Sequence, residues 1–160
     1  AITIAETGHL VFATLHTNSS VVTITRLVDM GMEPYLLASC VIGIVAQRLA
    51  RRVCPTCRVV EPMPPEVLSF FPSPGPRELA RGQGCRLCNQ SGYRGRAGLF
   101  EMLTMTDELR RLILRRASEE DLEAAGRRAG LSTLREQGIA RVMEGATTLD
   151  EVLRTTQERV

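Results

Sequence analysis

The chain has 160 residues, 44% hydrophobic and only 4% aromatic, with a formal net charge of +2; its 20 basic residues are all Arg. That length supports one ordinary domain or two small ones, with a core of Leu, Val, Ile and Ala. The absence of Lys excludes a complete P-loop, whose G-x-x-x-x-G-K-[ST] pattern needs one, and excludes Schiff-base chemistry.

The first residues, Ala1–Thr7, read as the last turns of a helix that Gly8 stops. Leu10–Leu15 is a nearly continuous apolar run of strand length. It suits a strand buried on both faces of a parallel α/β sheet. The polar cluster His16-Thr17-Asn18-Ser19-Ser20 follows, and Ser19 or Ser20 is placed to cap a helix running to about Met30, closed by Gly31. Val21, Ile24, Leu27 and Val28 mark one face of that helix. Pro34 suits the first turn of a longer helix whose apolar positions, 36/37, 40/41, 44/45 and 49, recur at helical period. Arg48, Arg51 and Arg52 then fall near its C-terminus, where cations complement the helix dipole.

Residues 54–96 differ in texture, because seven of the eight prolines fall there. Val67–Phe71 reads as one apolar helical turn, with Phe70 and Phe71 anchoring the loop, and Pro72–Gly84 reads as an exposed loop. Gly98–Leu103 reads as a short strand. Helices are expected from Thr106-Asp107, after Ser118, from Ser132 or Thr133, and from Thr148. Asp121, Glu136 and Glu151 hold the capping-box positions of the last three. The longest apolar run, Leu36–Ala46, is shorter than the ~18 residues of a membrane span. No signal-peptide pattern is visible at the start.

Four of the five cysteines form two pairs, Cys54-Pro55-Thr56-Cys57 and Cys85-Arg86-Leu87-Cys88, with 27 residues between them. Each pair is a tight turn presenting two thiolates, and two such turns facing each other make the S4 tetrahedron that a structural Zn²⁺ accepts. Gly84, Gly92 and Gly95 allow the positive φ that such turns need. An iron–sulfur cluster is the competing occupant. A redox dithiol would account for one pair only. Four sulfurs leave no open position for catalysis, so the expected role is to hold a loop-rich module together. Cys40, on the apolar stripe of its helix, reads as a small buried hydrophobe.

The two histidines, His9 and His16, bracket the expected strand, roughly 20 Å apart at about 3.3 Å per residue. They are therefore not expected to serve the same reacting atom from one subunit. Ligands of open parallel sheets bind at the carboxyl ends of strands, which is where His16 stands.

The run Thr7-Gly8-His9-Leu10-Val11-Phe12-Ala13-Thr14-Leu15-His16-Thr17-Asn18 resembles the His-box strand of the secretion ATPase superfamily. Arg26–Gly31, Ala46-Gln47-Arg48-Leu49, the two Cys pairs and Gly92-Tyr93-Arg94-Gly95-Arg96 follow in the order found in the hexameric ATPases of type II secretion and type IV pilus assembly. The two Cys pairs favour these over the pilus-retraction enzymes.

The resemblance implies an α/β fold in three stretches. Residues 1–53 would be the C-terminal part of a RecA-like ATPase core, 54–96 a tetracysteine zinc module, and 97–160 a mainly helical subdomain. It implies that the P-loop, Asp box, Walker B acid and arginine fingers precede this chain, which would then be a C-terminal piece inactive alone. It makes His16 the sensor of the γ-phosphate, with His9 the other histidine of the box. Cys54, Cys57, Cys85 and Cys88 would be the zinc ligands. The intact protein would use ATP and Mg²⁺ as a homo-hexamer. It would work in the cytoplasm against an inner-membrane platform, and no nucleic acid is expected.

Two other readings compete. A zinc-ribbon module could grip nucleic-acid phosphates with Arg86, Arg94 and Arg96. Residues 85–116 carry seven Arg against three acids, but 117–160 carry six against nine and offset them. A non-catalytic interaction domain could present Arg110, Arg111, Arg115 and Arg116 to acidic lipids or a membrane subunit, although a solvated helix face explains the same residues.

Overall fold

A computed structural model describes residues 2–156 and contains seven α-helices, two short 3-10 helices and four strands among them. Ala1 of the first expected helix, and the last four residues of the expected helical subdomain, lie outside the described residues. The chain is mixed α/β and divides into two compact units. One takes the residues up to Ala46 together with Glu101–Thr133. The other takes Gln47–Phe100 and the residues from Leu134 onward.

The first unit contains the helices α1 (Ile2–Glu6), α2 (Ser20–Asp29), α3 (Pro34–Cys40), α4 (Asp107–Leu114) and α5 (Glu119–Arg128). Gly8 and Gly31 stop α1 and α2 with φ of +87° each, as their positions predict. Ser19 caps α2 by accepting the Val22 N–H at 3.1 Å. Thr106 and Ser118 cap α4 and α5 in the same way, through the Leu109 and Asp121 N–H groups. Each such cap contributes about 1 kcal/mol. The core is formed by Val21 and Ile24 of α2, Leu37 of α3, Leu103, Leu109 and Ile113, and Leu122 of α5.

The second unit contains β2 (Arg58–Pro62), β3 (Glu78–Gly82), α6 (Leu134–Met143) and α7 (Leu149–Thr156). β2 and β3 run antiparallel with Arg58 opposite Gly82 and Pro62 opposite Glu78. Phe71, Ile139, Val142, Leu149 and Val152 form its core. Two longer strands, β1 (Gly43–Val53) and β4 (Tyr93–Thr104), pair in a separate two-stranded sheet.

Several expectations are corrected here. The long helix from Pro34 ends at Cys40, and residues 43–53 form β1 instead. The β-branched run Val41, Ile42, Ile44 and Val45 around Gly43 favours extended backbone. On β1, Ala46 and Ala50 are buried while Val45 and Leu49 are exposed. A four-residue spacing fits both a helical turn and two strand repeats, which is why periodicity misread it. Arg48, Arg51 and Arg52 therefore lie on a strand, not at a helix C-terminus.

Residues 10–15 form no strand. Leu10 is 70% exposed and Phe12 90% exposed, and no strand among the described residues pairs with them. A strand buried on both faces requires neighbours on each side and a covering layer, and an apolar run alone supplies neither.

Part of the expected loop Pro72–Gly84 is β3. The apolar turn is a 3-10 helix over Pro65–Phe70, and of the two phenylalanines only Phe71 is buried. The short strand at 98–103 extends back to Tyr93. Cys40 is only partly buried, with its Sγ 3.5 Å from the Ser39 hydroxyl.

Candidate functional site

The four paired cysteines converge. Their sulfurs all lie within 4.8 Å of one another. Cys54 Sγ is 4.0 Å from Cys85 Sγ, Cys57 Sγ is 3.9 Å from Cys88 Sγ, and Cys85 Sγ is 3.7 Å from Cys88 Sγ. A disulfide would bring two sulfurs to about 2.05 Å, so none is formed. Four thiolates at about 2.3 Å from one Zn²⁺ stand about 3.8 Å apart at the corners of a tetrahedron. The spacing and the all-sulfur donor set thus fit a single metal ion.

The local sequence builds this geometry from two turns. Cys54 leaves the end of β1 and donates its N–H to the Gly92 carbonyl at 2.9 Å. Cys57 closes the first turn, and its carbonyl accepts the Gln83 N–H at 3.0 Å, which ties β2 to the strand before the second pair. Arg86–Cys88 is one 3-10 turn, after which Asn89 and Gln90 take φ of 51° and 60°. Gly84 and Gly92 flank it with φ of +96° and +74°, the left-handed region that glycine enters without strain. A Cβ on Gly82 would collide with the Gly92 carbonyl and α-carbon, so only glycine fits there.

Electrostatics distinguishes the sulfurs. Burial disfavours the Cys88 thiolate. The Cys85 and Gly92 N–H groups and the neighbouring thiols outweigh that and bring Cys88 down to about 6. Burial likewise opposes ionisation of Cys54, and the Thr56 and Cys57 N–H groups reverse it, so its pKa is lowered. Cys57 goes the other way, to about 11, because burial and three adjacent sulfurs outweigh the Gly84 N–H. Like charges crowded in one place resist ionising together, and a cation among them removes that penalty.

A second set of contacts braces this centre. Val53 donates its N–H to the Ala146 carbonyl at 2.9 Å, and Thr147 Oγ1 donates to the Arg51 carbonyl at 2.7 Å. Tyr93 and Thr148 share a hydroxyl–hydroxyl bond of 2.7 Å, and the Arg51 guanidinium sits 4.2 Å over the Tyr93 ring. The fully buried Glu151 carboxylate accepts from the Arg51 N–H and guanidinium and from Arg154. Desolvation pushes Glu151 up, but Arg154 and Arg51 together hold it at about 2. The capping position of Glu151 was legible in the sequence, and its N–H does bond Thr148 Oγ1. Its role as an ion-pair hub was not, since Arg51 lies 100 residues away in sequence.

The histidines are placed differently. Both are exposed, on the irregular segment between α1 and α2. His9 Nδ1 lies 2.9 Å from the Thr7 hydroxyl. Thr17 Oγ1 bonds Thr23 Oγ1 at 2.7 Å, which fastens the end of the His16 segment to α2. Of the basic residues noted in the sequence, Arg110 donates to the Ala38 carbonyl, and Arg86, Arg94, Arg96, Arg111, Arg115 and Arg116 are exposed.

A helical-and-strand chain with a four-sulfur centre of this kind is matched over residues 1–154 by the family model described as type II/IV secretion system protein. The chain belongs to that family. It is 47% identical over 158 residues to the type II secretion system protein HxcR of Pseudomonas aeruginosa, covering 99% of this chain and 30% of that protein. It is 43% identical over 160 residues to the type II secretion system ATPase E of Vibrio cholerae, covering 99% of this chain and 32% of the relative. With the type IV pilus assembly ATPase PilB of Thermus thermophilus the identity is 44% over 159 residues, covering 96% of this chain and 18% of that protein. The chain thus spans about a third or less of the length of these relatives. No described helix is long and apolar enough to cross a membrane.

Proposed function

We propose that this chain is the C-terminal part of a motor that hydrolyses ATP to drive type II protein secretion or type IV pilus assembly. The observation that carries this reading is the match of residues 1–154 to the family model, together with 43–44% identity over nearly the whole chain to proteins named as secretion and pilus ATPases. In this reading residues 1–53 complete a RecA-like core, 54–96 form the zinc module and 97–160 the helical subdomain. The exposed Leu10–Leu15 run takes its place as a strand against the rest of that core.

His16 then stands at the carboxyl end of the strand, where its imidazole bonds the terminal phosphate of ATP and registers its loss. His9 occupies the other end of the same strand. Cys54, Cys57, Cys85 and Cys88 hold Zn²⁺, which fixes the two turns and offers no open position for chemistry. The intact protein uses ATP with Mg²⁺, assembles as a homo-hexamer, and works from the cytoplasm against an inner-membrane platform.

The test uses the longer protein that contains this chain. His16→Ala lowers ATP turnover at least tenfold and leaves one zinc per chain in place. Turnover unchanged by that substitution would overturn the sensor role. The 160-residue chain alone, which has no P-loop Lys, shows no turnover, and hydrolysis surviving purification controls would overturn its assignment as a motor fragment.

A further inference from the structure

One buried acid has no part in that reading. Glu101 is 3% exposed and stands on β4 between the buried Leu99 and Leu103. Its Oε1 accepts the Ser20 N–H at 2.7 Å and the Ser20 hydroxyl at 2.6 Å. A carboxylate is costly to remove from water and is retained in a core where it has strong, directed partners. Two of its bonds come from the backbone N–H and the hydroxyl of the first residue of α2, where the free N–H groups of a helix favour a negative charge.

Ser20 is the point at which the His16 segment becomes helix. Three residues separate it from His16, and that stretch is already constrained from the helix side. Ser19 Oγ accepts the Val22 N–H at 3.1 Å, Thr23 Oγ1 donates to the Ser19 carbonyl at 2.9 Å, and Thr17 Oγ1 meets Thr23 Oγ1 at 2.7 Å. These bonds tie the loop to the first turn of α2 but do not tie that turn to anything else. Glu101 supplies the link from the turn to a strand 81 residues away in sequence.

We propose that Glu101 is a positioning residue: it fixes the first turn of α2 against β4 and thereby sets where the loop carrying His16 begins. The role in turnover rests on the reading of His16 as phosphate sensor. The anchoring itself does not.

The first arm of the test is amide hydrogen exchange on the 160-residue chain. Glu101→Ala raises exchange of the Ser20, Val22 and Thr23 amides at least tenfold relative to α4 and α5. Glu101→Gln keeps a carbonyl oxygen able to accept both bonds and restores most of the protection. Ser20→Ala removes only the hydroxyl donor and gives a smaller rise, and the Ser20→Ala, Glu101→Ala double variant is no worse than Glu101→Ala alone. No change at those three amides, or an equal rise throughout the unit, would overturn the anchor.

The second arm is ATP hydrolysis by the longer protein. Glu101→Ala lowers kcat at least tenfold with KM within twofold, and Glu101→Gln recovers most of it. If exchange responds while kcat does not, the positioning role falls and the anchor stands. If the wild-type longer protein does not hydrolyse ATP, the motor reading falls, and the exchange arm still decides on Glu101.

Discussion

The sulfur centre and the histidine segment are both short punctuations in an otherwise aliphatic sequence, yet the chain completes one and not the other. The cysteines meet at 3.7–4.0 Å, with backbone N–H groups aimed at the sulfurs and glycines at the turns that need positive φ. The histidines sit on exposed irregular backbone beside a 90% exposed Phe12. A four-ligand cluster is specified by its own short turns, so it can be assembled within one compact unit. A doubly covered strand is specified by its neighbours, and its sequence alone does not supply them.

The largest effect separating the two regions comes from metal removal. Structural zinc in small modules carries apparent binding free energies of about 10 kcal/mol or more at neutral pH. Stripping the metal with a strong chelator, or Cys88→Ser, loosens the second unit and leaves the first folded. Amide exchange in β2, β3 and the two cysteine turns rises by orders of magnitude while α4 and α5 keep their protection. Elemental analysis of the untreated chain gives one zinc per chain. Iron in its place, or a second unit indifferent to chelation, breaks the assignment of this centre as structural zinc.

A smaller effect tests the brace around the centre. Glu151 is fully buried between Arg51 and Arg154, which are 45% and 60% exposed. Glu151→Gln loses charge-assisted bonds from both and destabilises the second unit by about 2 kcal/mol. The pH dependence follows from its carboxyl being held at about 2 against an ordinary 4.5. Above 4.5 the folded and unfolded chains both carry the charge and the stabilisation is complete. Between 4.5 and 2 the unfolded chain takes up a proton that the folded chain does not, so stability falls with pH. Below 2 the contribution is gone. Urea melts from pH 6 to pH 2.5 therefore show a decline that is shallower in Glu151→Gln. An equal slope in both proteins would remove Glu151 as the acid-sensitive group.

The same contrast explains what could be read from the residues alone. The mixed α/β class, the caps Ser19, Thr106 and Ser118, the stops at Gly8 and Gly31, and the cysteine cluster were legible because each is set by neighbours within a few positions. The boundary between α3 and β1 was not, because Ala46 and Ala50 satisfy a helical and a strand period equally. β3 was hidden by the prolines before it. Glu101 and Glu151 were invisible as hubs, since their partners Ser20 and Arg51 lie 81 and 100 residues away. The alternation Leu99, Glu101, Leu103 was the one available signal, an acid at a core-facing strand position.

The smallest effect is expected where the sequence looked most like a core. Phe12 stands in a run whose apolarity suggests deep burial, and in a packed interior its loss to Ser would cost several kcal/mol. At 90% exposure it has almost no apolar area to lose, so Phe12→Ser changes the stability of the 160-residue chain by no more than about 0.5 kcal/mol. The same substitution in the longer protein, if Leu10–Leu15 docks there as a covered strand, lowers its melting temperature by several degrees. A loss in the short chain would mean that the segment is already packed within it. Equal indifference in both proteins would mean that the exposed apolar run is not a docking strand.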